Sequence, residues 1–195
     1  MLFAELIFAT HKALDDAGLE HAFGGALALM HYVAEPRTTW DVDVNISVHK
    51  DDAEIVIEAL SALVQATEEQ VALLKRDGQV RLLVGRYPLD IFLAEHVFHD
   101  EMRMMSSRRP FGDRELPYIS ATHLTVLKAL FNRSKDWVDI ESMLRHGSVD
   151  VQRAIGWLVT LQGPDEEAPA RIRAMSLLGP EMEPSAQELF SRFEN

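Results

Sequence analysis

The stretch Asp41-Val42-Asp43-Val44-Asn45-Ile46-Ser47-Val48 constrains the fold of this chain more than any other. Polar and β-branched residues alternate with a period of two, the repeat of a strand. Asp41, Asp43, Asn45 and Ser47 therefore share one face, and the valines and the isoleucine share the other. β-branched residues favour the pleated backbone and need an apolar layer to pack on. Such a strand belongs in a sheet with one covered face and one face that carries polar groups. Upstream, Phe23-Gly24-Gly25 passes into the apolar run Ala26-Leu27-Ala28-Leu29-Met30-His31-Tyr32, read as a helix that Pro36 ends. The order is strand, glycine turn, helix, strand.

Two neighbouring carboxylates on one face raise one another's pKa unless a cation lies between them. The natural cation for an all-oxygen site that also touches phosphate is Mg²⁺. The pair therefore points to an enzyme acting on a nucleotide; the plainer alternative is two hydrated aspartates on a solvent-facing sheet. Asp90 is the third acidic candidate, because it breaks the apolar strand Leu89-Asp90-Ile91-Phe92-Leu93. A carboxylate buried there without a partner is costly, so it should face a cavity, a cation or an arginine. Gly85-Arg86-Tyr87-Pro88 reads as a hairpin turn between that strand and Val80-Arg81-Leu82-Leu83-Val84. If the hairpin lies beside the Asp41 strand, the three carboxylates converge. They could then hold two Mg²⁺ ions, with Asp90 accepting a proton from an attacking hydroxyl.

Composition narrows the field. The net charge of −12 argues against extended DNA binding, although Arg103, Arg108, Arg109 and Arg114 bunch together, as do Arg133 and Lys135. No apolar run approaches the length of a membrane span. The absence of cysteine excludes disulfides and thiolate metal sites, and the first residues lack a basic leader, so a cytoplasmic location is expected.

The expected fold class is α/β: a small mixed sheet with flanking helices over residues 1–98, then a linker and partly mobile loop over 99–117, then a helical domain over 118–195. Helices are read from Leu2 to Ala17, Ala53 to Leu63, Leu124 to Phe131 (capped by Ser120 or Thr122), Lys135 to Leu144, Val151 to Leu161, Ala168 to Leu178 and Pro184 to Phe193. His96 and His99 have no further ligand pattern around them, and Met102, Met104 and Met105 read as packing residues.

Gly24-Gly25, then Arg37-Thr38-Thr39-Trp40-Asp41-Val42-Asp43, then a strand-borne Asp90, resembles the core of the polymerase-β-type nucleotidyltransferases. More narrowly it is similar to the AbiEii-type abortive-infection nucleotidyltransferases, which act as toxins in toxin–antitoxin pairs. The downstream segment around Leu127-Lys128 and Arg133-Ser134-Lys135-Asp136-Trp137-Val138-Asp139 resembles that family's helical lysine motif and its Arg-x-x-Asp-x-x-Asp element. The resemblance spans residues 20–146. It implies transfer of a nucleoside monophosphate from an NTP, ATP included, to an acceptor hydroxyl such as a tRNA 3′ end, with an antitoxin as a protein partner. The other acceptors considered are an aminoglycoside-like small molecule and a protein hydroxyl; a non-enzymatic reading is a catalytically silent nucleotide-binding module.

The resemblance also assigns roles. Asp41, Asp43 and Asp90 carry the metal, and Gly24-Gly25 receives phosphate oxygens on backbone N–H groups. Lys128 contacts the nucleotide phosphates; without the resemblance it reads as a lysine snorkelling to water from an apolar helix. Arg37 and Thr39 belong to the nucleotide-binding set, Arg37 either orienting Asp41 or Asp43 or pairing locally. Asp136 and Asp139, three apart on one helix face, either bind the ribose or base or cap and solvate their helix.

Overall fold

The alternating strand is β2, Val42–His49, and it lies near the middle of a six-stranded mixed sheet. A computed structural model describes residues 1–177. The sheet order is β3-β4-β2-β1-β6-β5, with β1 at His21–Phe23, β3 at Gln79–Val84, β4 at Tyr87–Ala94, β5 at Ser107–Phe111 and β6 at Arg114–Tyr118. β2 runs parallel to β4 and antiparallel to β1, whereas β1 runs parallel to β6.

One face of the sheet is the core. Val42, Val44 and Ile46 of β2 and Leu89, Ile91 and Leu93 of β4 are buried together with Leu6, Ile7 and Leu14 of helix α1, Phe3–Asp16, and with Val56 and Leu60 of helix α3, Ala53–Leu60. The period-two pattern of β2 thus becomes a sorting of side chains, apolar residues to the core and Asp43 to the opposite face. Between β1 and β2 lies α2, Gly25–Leu29, and between α3 and β3 lies α4, Glu68–Asp77. After β6 come α6, Ala121–Phe131, α7, Ser134–Arg145, α8, Val151–Gln162, and α9, Glu167–Ser176; α6 packs on α2, α7 and α8.

Several sequence expectations are corrected. The helix after Gly24-Gly25 is only five residues long, because its last turns toward Pro36 are irregular. The segment expected as a linker and mobile loop is ordered secondary structure: α5, Val97–Met104, followed by the β5–β6 hairpin, whose β6 joins the main sheet beside β1. Helix α4 was not expected at all. It is announced by a reciprocal cap, in which Gln70 N–H donates to Thr67 Oγ1 at 3.2 Å and Thr67 N–H donates to Gln70 Oε1 at 3.0 Å. The expected helix Pro184 to Phe193 lies outside the described residues. Among the described residues no helix is long and apolar enough to cross a membrane.

Candidate functional site

Asp43 and Asp90 are cross-strand partners on adjacent parallel strands, and Asn45 and Phe92 form the next pair along the same face. Asp41 precedes the first hydrogen-bonded residue of β2. The Asp43 carboxyl is pushed up to about 6, first by burial and then by the charges of Asp41 and Asp90; Lys128 and Arg133 oppose the shift. Asp41 behaves differently. Burial pushes its carboxyl up, but the Thr39 hydroxyl, its own backbone N–H and the charges of Lys135 and Arg81 hold it below the usual carboxylate range. Thr39 Oγ1 donates to Asp41 Oδ1, so this threonine acts as an orienting group for the aspartate.

Gly24 and Gly25 fix the floor beneath these carboxylates. The Gly24 N–H donates to the Asp43 carbonyl at 2.9 Å, tying the start of α2 to β2. Gly25 has φ +53°, and a Cβ built there would overlap the carboxylate of Asp43. Position 25 therefore excludes side chains twice over, by backbone conformation and by contact.

The third carboxylate has one of the partners expected for it. Asp90 is buried and does face a cation, but the cation is the arginine opposite it on β3. Arg81 Nε donates to Asp90 Oδ1 at 2.7 Å and Nη2 donates to Oδ2 at 2.6 Å. Arg81 is a site residue that sequence reasoning missed. A four-residue turn over 85–88 would set Leu83 opposite Asp90. The observed turn has two residues, Gly85 and Arg86, with Val84 opposite Tyr87 and Arg81 opposite Asp90. Gly85 at φ +63° is the signal, since the type II′ form of a two-residue hairpin turn takes glycine at its first central position.

Lys128 does not snorkel. It is 4% exposed and its Nζ donates to Asp139 Oδ2 at 2.7 Å, with Asp136 Oδ1 3.6 Å away. Asp139 also accepts from Arg37 Nη2 at 3.1 Å, and Asp136 accepts from Arg133 Nε at 2.6 Å and from the Arg133 backbone N–H at 3.2 Å. Arg37, expected to act on Asp41 or Asp43 or to pair locally, pairs with a helix residue 102 positions away. Asp136 and Asp139 do share a helix face, but it is a buried one, and their oxygens hold Lys128, Arg37 and Arg133. Burial pushes the Asp136 carboxyl up, while the Arg133 hydrogen bonds and the charges of Lys128 and Arg133 bring it below its ordinary value.

These residues line two adjoining cavities. One, of about 320 Å³, is bordered by Asp41, Asp43 and Asp90 and by Arg37, Arg81, Lys128, Arg133 and Lys135. The other, of about 290 Å³, shares Gly25, Asp43, Phe92, Lys128, Phe131 and Arg133 among its lining with the first, and Leu93, Leu124, Leu127 and Leu130 give it an apolar wall of its own. Acidic groups set among fixed cations suit a polyanion brought in with a metal ion. Asp41 and Asp43 fit a divalent cation, because their oxygens are hard donors and Asp43 is left short of positive charge. Asp90 fits it less well, since both its oxygens already have partners. Among the described residues no group of three or more Asp, Glu or His is arranged to hold a metal ion.

No protein-family model matches the sequence, and no curated protein matches it. Solved structures do share its fold. The solution structure of the antibiotic-resistance factor ANT(2″)-Ia is similar with a TM-score of 0.53 and 15% identity, over 97% of this chain and 94% of that one. The crystal structure of ANT(2″)-Ia in complex with adenylyl-2″-tobramycin gives 0.52 and 16%, over 87% of this chain and 96% of that one. ANT(2″)-Ia is a nucleotidyltransferase, and the six-stranded mixed sheet with its helices is a nucleotidyltransferase-like fold.

Proposed function

We propose that this protein is a metal-dependent nucleotidyltransferase that moves a nucleoside monophosphate from an NTP to an acceptor hydroxyl, releasing pyrophosphate. The observation that carries this reading is the half-buried Asp43, raised to about 6 between Asp41 and Asp90 and seated against Gly25. A carboxylate kept this poor in positive charge suits a cation that arrives with the substrate. Asp41 and Asp43 would hold Mg²⁺, which when bound neutralises charge developing on phosphate oxygens. Thr39 orients Asp41. Lys128, fixed by Asp139, supplies a stationary positive charge beside Asp43, and Arg133 and Lys135 add to it at the rim. Gly24-Gly25 lets phosphate oxygens approach the backbone. Such positioned charges lower the barrier of phosphoryl transfer more than any covalent participation.

For the acceptor, the AbiEii-type resemblance supports a tRNA 3′ end, and with it a toxin role, a cytoplasmic location and an antitoxin partner. A small hydroxylated cation is the second reading. It is favoured by the net charge of −12 and by the likeness in fold to a structure solved with adenylyl-2″-tobramycin. The test is pyrophosphate release and label transfer from each radiolabelled NTP, with Mg²⁺ and either total tRNA or an aminoglycoside mixture, against Asp41→Ala. Transfer in the wild type alone is expected, and the labelled acceptor identifies the substrate. Turnover that persists in Asp41→Ala overturns the mechanism; NTP binding without transfer to any acceptor leaves the silent-module reading.

A further inference from the structure

Arg81, Asp90 and Asp43 stand in one row across three strands. Asp90 has Arg81 as its partner on the antiparallel side and Asp43 on the parallel side. This row is set by backbone register, so the arginine is no stray surface group. The two-residue turn places Arg81, and Gln70 Nε2 from α4 donates to its carbonyl at 3.3 Å. Its guanidinium takes both oxygens of Asp90, at 2.7 and 2.6 Å, and Nη2 is 3.9 Å from Asp41 Oδ2. Bidentate charge-assisted pairs of this kind are among the strongest side-chain hydrogen bonds. The Asp90 side chain is only 12% exposed, so it cannot exchange this partner for water without movement.

A divalent cation shared between Asp43 and Asp90 would have to sit against that guanidinium, with like charges a few ångströms apart. We propose that Arg81 takes the place of a cation at the third carboxylate, so that Asp41 and Asp43 alone hold the divalent metal and Asp90 anchors Arg81. Anchored there, the exposed guanidinium is a fixed positive charge beside Asp41, placed for an oxygen of a nucleotide triphosphate. The expected two-ion site built on three carboxylates becomes a site for one ion and one arginine. This rests on the nucleotidyltransferase reading of the same site.

The test is Mn²⁺ titration of the nucleotide-free protein, following free Mn²⁺ by electron paramagnetic resonance, with thermal melting to confirm folding. Asp43→Asn should weaken Mn²⁺ binding by on the order of tenfold or more. The double variant Arg81→Met/Asp90→Asn removes the pair as a unit and should keep Mn²⁺ affinity within about threefold of wild type. Arg81→Met alone frees a carboxylate and should tighten binding by about threefold or more, with Arg81→Lys in between. A double variant that loses Mn²⁺ as fully as Asp43→Asn overturns the inference, as does an Arg81→Met variant whose binding is unchanged or weaker. Should Arg81→Met fail to fold, the double variant decides alone. A wild type that binds no Mn²⁺, or binding that depends on Asp90, overturns this inference only; the nucleotidyltransferase reading, in which the cation arrives with the substrate, falls only if label transfer persists in Asp41→Ala or is absent for every acceptor.

Discussion

Gly25 and Asp43 occupy a space that leaves no room for one more carbon: a methyl group on Gly25 would overlap the Asp43 carboxylate. Residue 25 begins α2 and residue 43 lies in β2, so the contact locks a helix start to the strand that carries the acidic pair. Gly25→Ala should therefore damage the site more than the fold. We expect a loss of about 1–3 kcal/mol in stability from the positive φ, and transfer reduced on the order of 100-fold by displacement of Asp43. Thermal melting and label transfer measured on the same preparation check both. Full activity in Gly25→Ala would mean that Asp43 can move without consequence.

Asp43 also carries a stability cost. Its carboxyl titrates at about 6 when folded, against a reference value of 3.8. A raised carboxyl binds its proton more tightly in the folded state, so its ionisation removes stability as pH rises from about 4 to about 6. Above that window, and without divalent ions, Asp43→Asn should be more stable than the wild type by about 3 kcal/mol. The gain should fade below about pH 4, where the aspartate is neutral in both states. Denaturant unfolding of the two proteins across that range measures it.

Lys128 and Asp139 should respond differently to removal. Without Lys128, Asp139 keeps Arg37 and Asp136 keeps Arg133. Without Asp139, the buried ammonium is left with Asp136 at 3.6 Å and Arg37 loses its partner. Asp139→Ala is expected to cost about 3–5 kcal/mol, the range for breaking a buried pair from one side. Lys128→Met should cost clearly less stability and yet abolish transfer. Equal destabilisation by the two would contradict this account of the network.

His123 gives the protein an acid-side weakness. It is fully buried on α6, where burial lowers its pKa below 6.5; the Glu101 carboxylate opposes this and Arg153 adds to it. A histidine lowered in the folded state contributes its stability above the unfolded pKa and loses it as pH falls below about 6.5. The melting temperature should fall between about pH 7.5 and about pH 5.5, and His123→Asn should show a smaller fall. A fall of the same size in the variant would assign the acid sensitivity to other groups.

The legible parts of this fold were those in which one residue-level rule acts alone. Alternation marked β2, and an apolar run with one acid marked β4. The β5–β6 hairpin was misread because arginine and proline dominate Ser107-Arg108-Arg109-Pro110-Phe111, although Gly112-Asp113 is a two-residue turn signal. Within the site, Asp41, Asp43 and Asp90 declared themselves as acids in apolar surroundings. Their partners did not. Arg81 depends on counting a turn two residues shorter, and the Arg37–Asp139 pair joins residues that only tertiary packing brings together.

The pairing of β1 with β6 has a consequence for synthesis. Phe23 lies opposite Tyr118, and the Ile119 N–H donates to the Phe23 carbonyl at 3.1 Å. A nascent chain therefore carries β1 with one edge unfilled until residues 114–118 have left the ribosome. Until then, the sheet that presents the acidic pair is open on one side, and what lies nearest to that edge can occupy it first.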